Sequence, residues 1–297
     1  MPTYLHDFTF LTSRTEEAGI IEQEHRTCFN SFYPCRIFPD KVLERIEFDT
    51  VTILYGGNGS GKSTALNIMA AKLGLLRDIP FNPTHFFNQY VERTKFNDNR
   101  YSDLKGIPEG SRILCSEDVF DKTLAIRTLN HDINDHREEI AQEWLDVQYR
   151  GGGQRRMTSI HGPEFEAYKR TQRMKRKTMS SVIRSEVGLN VVTGSNGENA
   201  LDFFTEKIQS GALYLLDEPE NSLSAKWQVK LAEFLEGMAR FERCQFVIAT
   251  HSPFLLGMHG AKIYDLDTMD VPVRTWTELE NVREYFKFFQ TRAGEFA

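Results

Sequence analysis

The sequence contains no apolar run approaching the ~20 residues that a membrane span requires. Its opening, Met1-Pro-Thr-Tyr-Leu-His-Asp, lacks the charged and apolar regions of a signal peptide. Cysteine is scarce. Cys28, Cys35, Cys115 and Cys244 form no C-x-x-C pair and accompany no histidine cluster at zinc spacing. This argues against a disulfide framework or zinc module and leads us to expect thiols in a reducing cytoplasm. Internal repeats and low-complexity tracts are absent, as is any nuclease, deaminase or protease constellation. Basic residues are outnumbered, 36 Lys and Arg against 42 Asp and Glu, so the chain as a whole exerts no general pull on nucleic acid.

What is present is a packed, soluble-type composition of 297 residues with 40% hydrophobic residues and 22 Phe, long enough to bury a sizeable core. Its centre is Thr50–Ile68. Val51–Tyr55 is apolar and partly β-branched, Gly56–Ser63 reads G-x-x-x-x-G-K-S, and a helix is expected to continue through Ala65–Leu73. Strand, glycine loop and helix in that order are the context of a phosphate-binding loop. The backbone N–H groups of such a loop converge at a helix N-terminus, where the dipole favours anions. Gly56, Asn58, Gly59, Ser60, Gly61, Lys62, Ser63 and Thr64 are therefore the expected nucleotide contacts. Lys62 is placed to neutralise the β and γ phosphates, and the Ser63 hydroxyl to hold Mg²⁺.

Two later stretches complete that site. Ala212–Glu220 is an apolar strand ending in Asp217-Glu218-Pro219, with Asp217 a Mg²⁺ ligand and Glu218 a general base for the attacking water. Gln245–Pro253 reads as a second buried strand delivering His251 to hydrogen-bond the γ-phosphate and steer the water. Between the loop and these strands, Ser195-Asn-Gly-Glu opens an expected helix over 199–209, and Ser195 with Gly197 forms a further anion site at its N-terminus. Gln89 is a candidate Mg²⁺ or water ligand, with a surface glutamine as the alternative. Tyr33–Pro39 and Val42–Phe48 read as short strands of an antiparallel pair, with Arg36 and Phe38 either base contacts or edge-strand residues.

Between residues 115 and 148 there are nine acids and three bases, and between 151 and 186 nine bases and three acids. The periodicity predicts helices from Ser116 to about Tyr149 and over 164–186, forming a hairpin or lid inserted within 95–190 of a single domain 1–297. The basic helix 169–184 either pairs with the acidic one or contacts a nucleic-acid backbone.

Gly56–Ser63, Ser195–Glu198, Asp217-Glu218-Pro219 and His251, in that order, resemble the ABC-type ATPases, and among them the non-transporter branch related to RecF and the SMC proteins. The set is also similar to AAA-family ATPases of bacteria, including PtuA-like defence ATPases. The resemblance implies an α/β fold: a P-loop NTPase with a mixed, mostly parallel sheet, an antiparallel side sheet and the helical lid. It implies ATP and Mg²⁺, and a head-to-tail homodimer in which Ser195 and Gly197 of one copy complete the P-loop of the other. Lys62, Glu218 and His251 carry over by motif position. Two departures stand out: the signature reads Gly-Ser-Asn-Gly-Glu rather than Leu-Ser-Gly-Gly-Gln, and Ser224 occupies a place where many ABC proteins carry Asp. The expected activity is an ATPase acting as a nucleotide-gated dimer in DNA repair or anti-phage defence. The alternative is a regulatory ATPase that holds or releases a separate effector such as a nuclease. A transporter subunit or a nucleotide kinase fits the motifs less well.

Overall fold

Three apolar runs of the sequence become adjacent parallel strands buried on both faces. They belong to a computed structural model that describes residues 3–26, 28–29, 31–98, 106–149, 163–191, 196–221 and 223–296. In chain order the elements are β1 (Leu5–Thr9), α1 (Ser13–Glu16), β2 (Arg45–Glu47), β3 (Val51–Tyr55), α2 (Lys62–Leu73), α3 (Phe87–Arg93), β4 (Lys95–Asp98) and β5 (Arg112–Cys115). There follow α4 (Ser116–Tyr149), α5 (Pro163–Arg176), α6 (Met179–Glu186), α7 (Asn196–Lys207), β6 (Leu213–Asp217) and α8 (Ala225–Phe241). The chain then forms β7 (Gln245–Thr250), α9 (Pro253–Leu256), β8 (Lys262–Asp265), β9 (Val273–Arg274) and α10 (Glu280–Thr291).

The main sheet has the order β5-β6-β7-β3-β8-β9, parallel except for β9, and a second, antiparallel sheet has the order β2-β1-β4. The chain is thus a mixed α/β protein with a mostly parallel sheet and an antiparallel side sheet. Alternation along each central strand divides its side chains between two cores, as the two-residue period of a strand requires. Leu54, Leu213, Leu215, Val247 and Ala249 join α2 and the side sheet, while Ile53, Tyr214, Leu216, Phe246 and Ile248 join α7, α8 and α9. Gln245 binds the two sheets together. Its carboxamide oxygen accepts from the N–H groups of Tyr4 and Leu5 at 2.8 and 2.9 Å, and its nitrogen donates to Leu5 O and Asp49 O.

The side sheet is antiparallel as expected, and β2 falls within the expected strand Val42–Phe48, but its other two strands come from other residues. β1 and β4 lie outside the stretches expected as strands. Residues 33–38 are turns rather than a strand. Phe38 is fully buried and stacks on Phe10 at 4.1 Å, which leaves it no face for a base.

The chain forms two compact units, residues 1–119 with 195–297, and residues 120–194. In the second, Ile140, Val147, Met174 and Val182 make a small core. The expected helix over 164–186 is broken into α5 and α6, because the Thr178 hydroxyl caps a new helix by accepting from Ser181 N–H. Arg170 pairs with Glu143 at 2.8 Å and Glu186 at 3.2 Å, and Arg173 lies 4.0 Å from Glu186. Lys175, Arg176, Lys177 and Arg184 are exposed. Among the described residues no helix is long and apolar enough to cross a membrane.

Candidate functional site

β3 ends at Tyr55 and the chain turns through Gly56–Gly61 into α2. Gly61 is the N-cap, with φ 96°, and a Cβ there would stand 2.9 Å from Ile37 Cγ2, so glycine is required on both counts. A Cβ on Gly56 would meet the Ser60 hydroxyl at 2.5 Å. That hydroxyl is buried and has no hydrogen-bond partner among the described residues. Lys62 is 4% exposed, and its Nζ donates to the carbonyls of Gly56 and Gly57 at 2.7 and 2.9 Å. Residues 58–64 line a cavity of about 440 Å³ together with Tyr33, Ile37 and Glu218. The Tyr33 hydroxyl donates to Thr64 Oγ1 at 3.0 Å.

β6 and β7 bring their carboxyl ends to the same place because they flank one another next to β3. The Ser63 hydroxyl donates to Asp217 Oδ1 at 2.9 Å. Burial pushes the Asp217 carboxyl up to about 6, against the lowering effect of that hydrogen bond. A half-buried, partly desolvated carboxylate touching a hydroxyl at a helix N-terminus is a natural partner for a hard divalent cation, which takes oxygen ligands. The donor set therefore fits Mg²⁺ and a triphosphate. Glu218 adopts φ 45°, donates its N–H to Ala249 O, and places Oε1 3.7 Å from Lys62 Nζ. Asn221 Nδ2 donates to Glu218 Oε2 at 3.0 Å. His251 Nδ1 lies 3.9 Å from Glu218 Oε1 and 3.8 Å from Glu220 Oε1.

The structure thus brings together Gly56 to Thr64, Asp217, Glu218 and His251. It does not bring Gln89 to them: that residue lies on α3 and lines a separate cleft with Ile20, Glu24, Arg26 and His85. Ser195 falls outside the described residues. Gly197 is buried in the first turn of α7, where an added Cβ would stand 2.3 Å from Trp227 Cδ1 on α8.

Sequence reasoning misses three contributors. Asp267, in the loop after β8, accepts the Gly57 N–H on both carboxylate oxygens at 2.9 Å. Tyr33 enters the cavity wall from a turn. Glu220, 4% exposed, accepts from the Thr250 hydroxyl and from His251 N–H at 3.2 Å. Only Glu220 had a local signal, the third acid of the run Asp217-Glu218-Pro219-Glu220.

The fold and this constellation define a P-loop ATPase of mixed α/β type. Residues 200–257, which carry Asp217, Glu218 and His251, match the family described as "AAA domain, putative AbiEii toxin, Type IV TA system". No protein of curated function matches the chain. Among solved structures the chain is similar to cbiO1 from Clostridium perfringens, part of the ABC transporter complex cbiONQ, at 15% identity. That match covers 85% of this chain and 88% of the other, with a TM-score of 0.36. It is also similar to the Smc head domain from Pyrococcus furiosus, solved with the C-terminal domain of ScpA, at 12% identity, 82% and 95% coverage and a TM-score of 0.38. The SMC head domain from Thermotoga maritima is a third, at 16% identity, 74% and 88% coverage and a TM-score of 0.33.

Proposed function

We propose that the chain is a nucleotide-gated ATPase whose two copies close head to tail over two ATP molecules. The observation that supports this most is the convergence of Lys62, Ser63, Asp217, Glu218 and His251 at the carboxyl ends of β3, β6 and β7. Gly56, Asn58, Gly59, Ser60, Gly61, Lys62, Ser63 and Thr64 hold the phosphates through loop N–H groups, hydroxyls and one ammonium. Tyr33 and Ile37, on the same cavity wall, bear on the rest of the nucleotide. Mg²⁺, when bound through Ser63 and Asp217, supplies charge that offsets the phosphates. Gln89 would join these ligands only if its side chain left the cleft it lines. Glu218 takes the proton of the attacking water, and His251 orients that water. Ser195 and Gly197 of the second copy close the site from the opposite side.

Glu218→Gln keeps the shape of the side chain while removing the base. It is expected to lower turnover by roughly 10²-fold or more and to accumulate an ATP-bound dimer on gel filtration. A monomer at saturating ATP would count against the gated dimer.

The gate then serves either nucleic acid, in repair or anti-phage defence, or a separate effector such as a nuclease. The ion pairs of Arg170 and Arg173 inside the unit 120–194 favour the effector, since they neutralise part of the basic stretch internally. Exposed Lys175, Arg176, Lys177 and Arg184 are what remains for a phosphate backbone. DNA affinity that falls steeply with salt and depends on Lys175 and Arg176 would reverse the preference.

A further inference from the structure

Glu220 is a carboxylate in a place where charge is costly. It is 4% exposed, and burial raises its carboxyl above the usual range, opposed by the hydrogen bonds it accepts. Those bonds have one direction. Oε1 accepts from the Thr250 hydroxyl and from the backbone N–H of His251, so both come from the end of β7, thirty and thirty-one residues further along the chain. Oε2 is buried and has no partner among the described residues. The His251 imidazole also lies near it, with Nδ1 3.8 Å from Oε1.

We infer that Glu220 is a positioning residue for hydrolysis, holding His251 in register and keeping the ring proton on Nδ1. This rests on the ATPase reading of the site given above. Negative charge 3.8 Å from one imidazole nitrogen, beyond hydrogen-bond length, favours the proton there by attraction, and the other nitrogen is then left as an acceptor. Nε2 can then accept a hydrogen bond from the attacking water while Glu218 takes the second proton of that water. Glu218 Oε1, 3.9 Å from the same Nδ1, reinforces the choice. Asn281 fixes the backbone on the far side by donating to His251 O at 3.0 Å. The Thr250 hydroxyl has a double task. It donates to Glu220 and accepts Ser252 N–H at 3.0 Å, so the strand end, the histidine and the acid form one unit.

The test is a kinetic cycle on the full chain with ATP and Mg²⁺. Glu220→Gln keeps the volume and the acceptor oxygen but removes the charge. It is expected to lower kcat about tenfold or more while KM for ATP changes less than threefold. His251→Ala should lower kcat similarly, and Glu220→Gln added to His251→Ala should cost nothing further, since the acid acts through the ring. Additive losses, or wild-type kcat in Glu220→Gln, overturn the inference. If Glu220→Gln does not fold, Thr250→Val takes its place in the same cycle, with the same non-additivity required. Glu218→Gln is the control. If it turns over at the wild-type rate, the ATPase reading itself fails; if it is inactive while Glu220→Gln is normal, only the role given to Glu220 fails.

Discussion

Glu16 shows how far a residue's chemistry is set by what closes over it. It ends α1 almost fully buried, Oε2 accepts the Arg36 N–H at 2.6 Å, and burial pushes the carboxyl up to about 7. In the unfolded chain the same group ionises near its ordinary value of about 4.3. Across the interval between those values the folded state binds more protons than the unfolded state. The contribution of Glu16 to stability is therefore complete below the unfolded value, declines as pH rises toward about 7, and is lost above it. Urea melts should show the stability gap between Glu16→Gln and wild type moving in favour of the variant by about 1–3 kcal/mol from acid to mildly alkaline pH. A gap that stays constant would mean that Glu16 binds its proton equally well in the folded and unfolded chains. At this scale the sequence discloses local chemistry well and distant chemistry poorly. Lys62 is legible because the carbonyls it binds lie within one loop, and Ser63 because it belongs to a local motif although its partner Asp217 is 154 residues away. Asp267 and Gln245 are not, because the backbone groups they bind are 210 and about 240 residues away in sequence.

At the scale of elements, legibility follows burial. β3 and β7 are buried along their whole length, and β6 along all but its last residue, so they read as continuous apolar runs. β1 and β4 carry His, Asp, Lys and Asn, and only their sheet partners define them. The break between α5 and α6 escapes a periodicity argument because it depends on one hydroxyl at Thr178. The packing of α7 on α8 offers a direct test. Gly197 faces the Trp227 ring so closely that a methyl group would stand 2.3 to 2.7 Å from three ring atoms. Gly197→Ala should therefore destabilise the chain by about 1–3 kcal/mol through overpacking, and a smaller residue at position 227 should relieve that cost in thermal melts. An unchanged melt for Gly197→Ala would show that the helix N-terminus is looser than this contact implies.

For the whole molecule the question is whether one copy suffices. Each chain carries the loop, both carboxylates at the end of β6, and the histidine, which together bind and orient the triphosphate in the proposed mechanism. The element expected to come from a second copy begins at Ser195. Ser195→Arg should accordingly leave ATP binding by the monomer intact in equilibrium dialysis and abolish turnover measured by phosphate release. Full turnover in that variant would make the site self-sufficient and remove the reason for a head-to-tail pair.

The contact between Gly197 and Trp227 also gives the protein an optical readout of its own. An indole lying against the first turn of α7, with Lys230 Nζ 4.5 Å from its ring centre, has an emission sensitive to any displacement of that turn. With Trp144 and Trp276 replaced by phenylalanine, the remaining fluorophore would report, in real time and without a label, when the helix end is engaged and when it is let go.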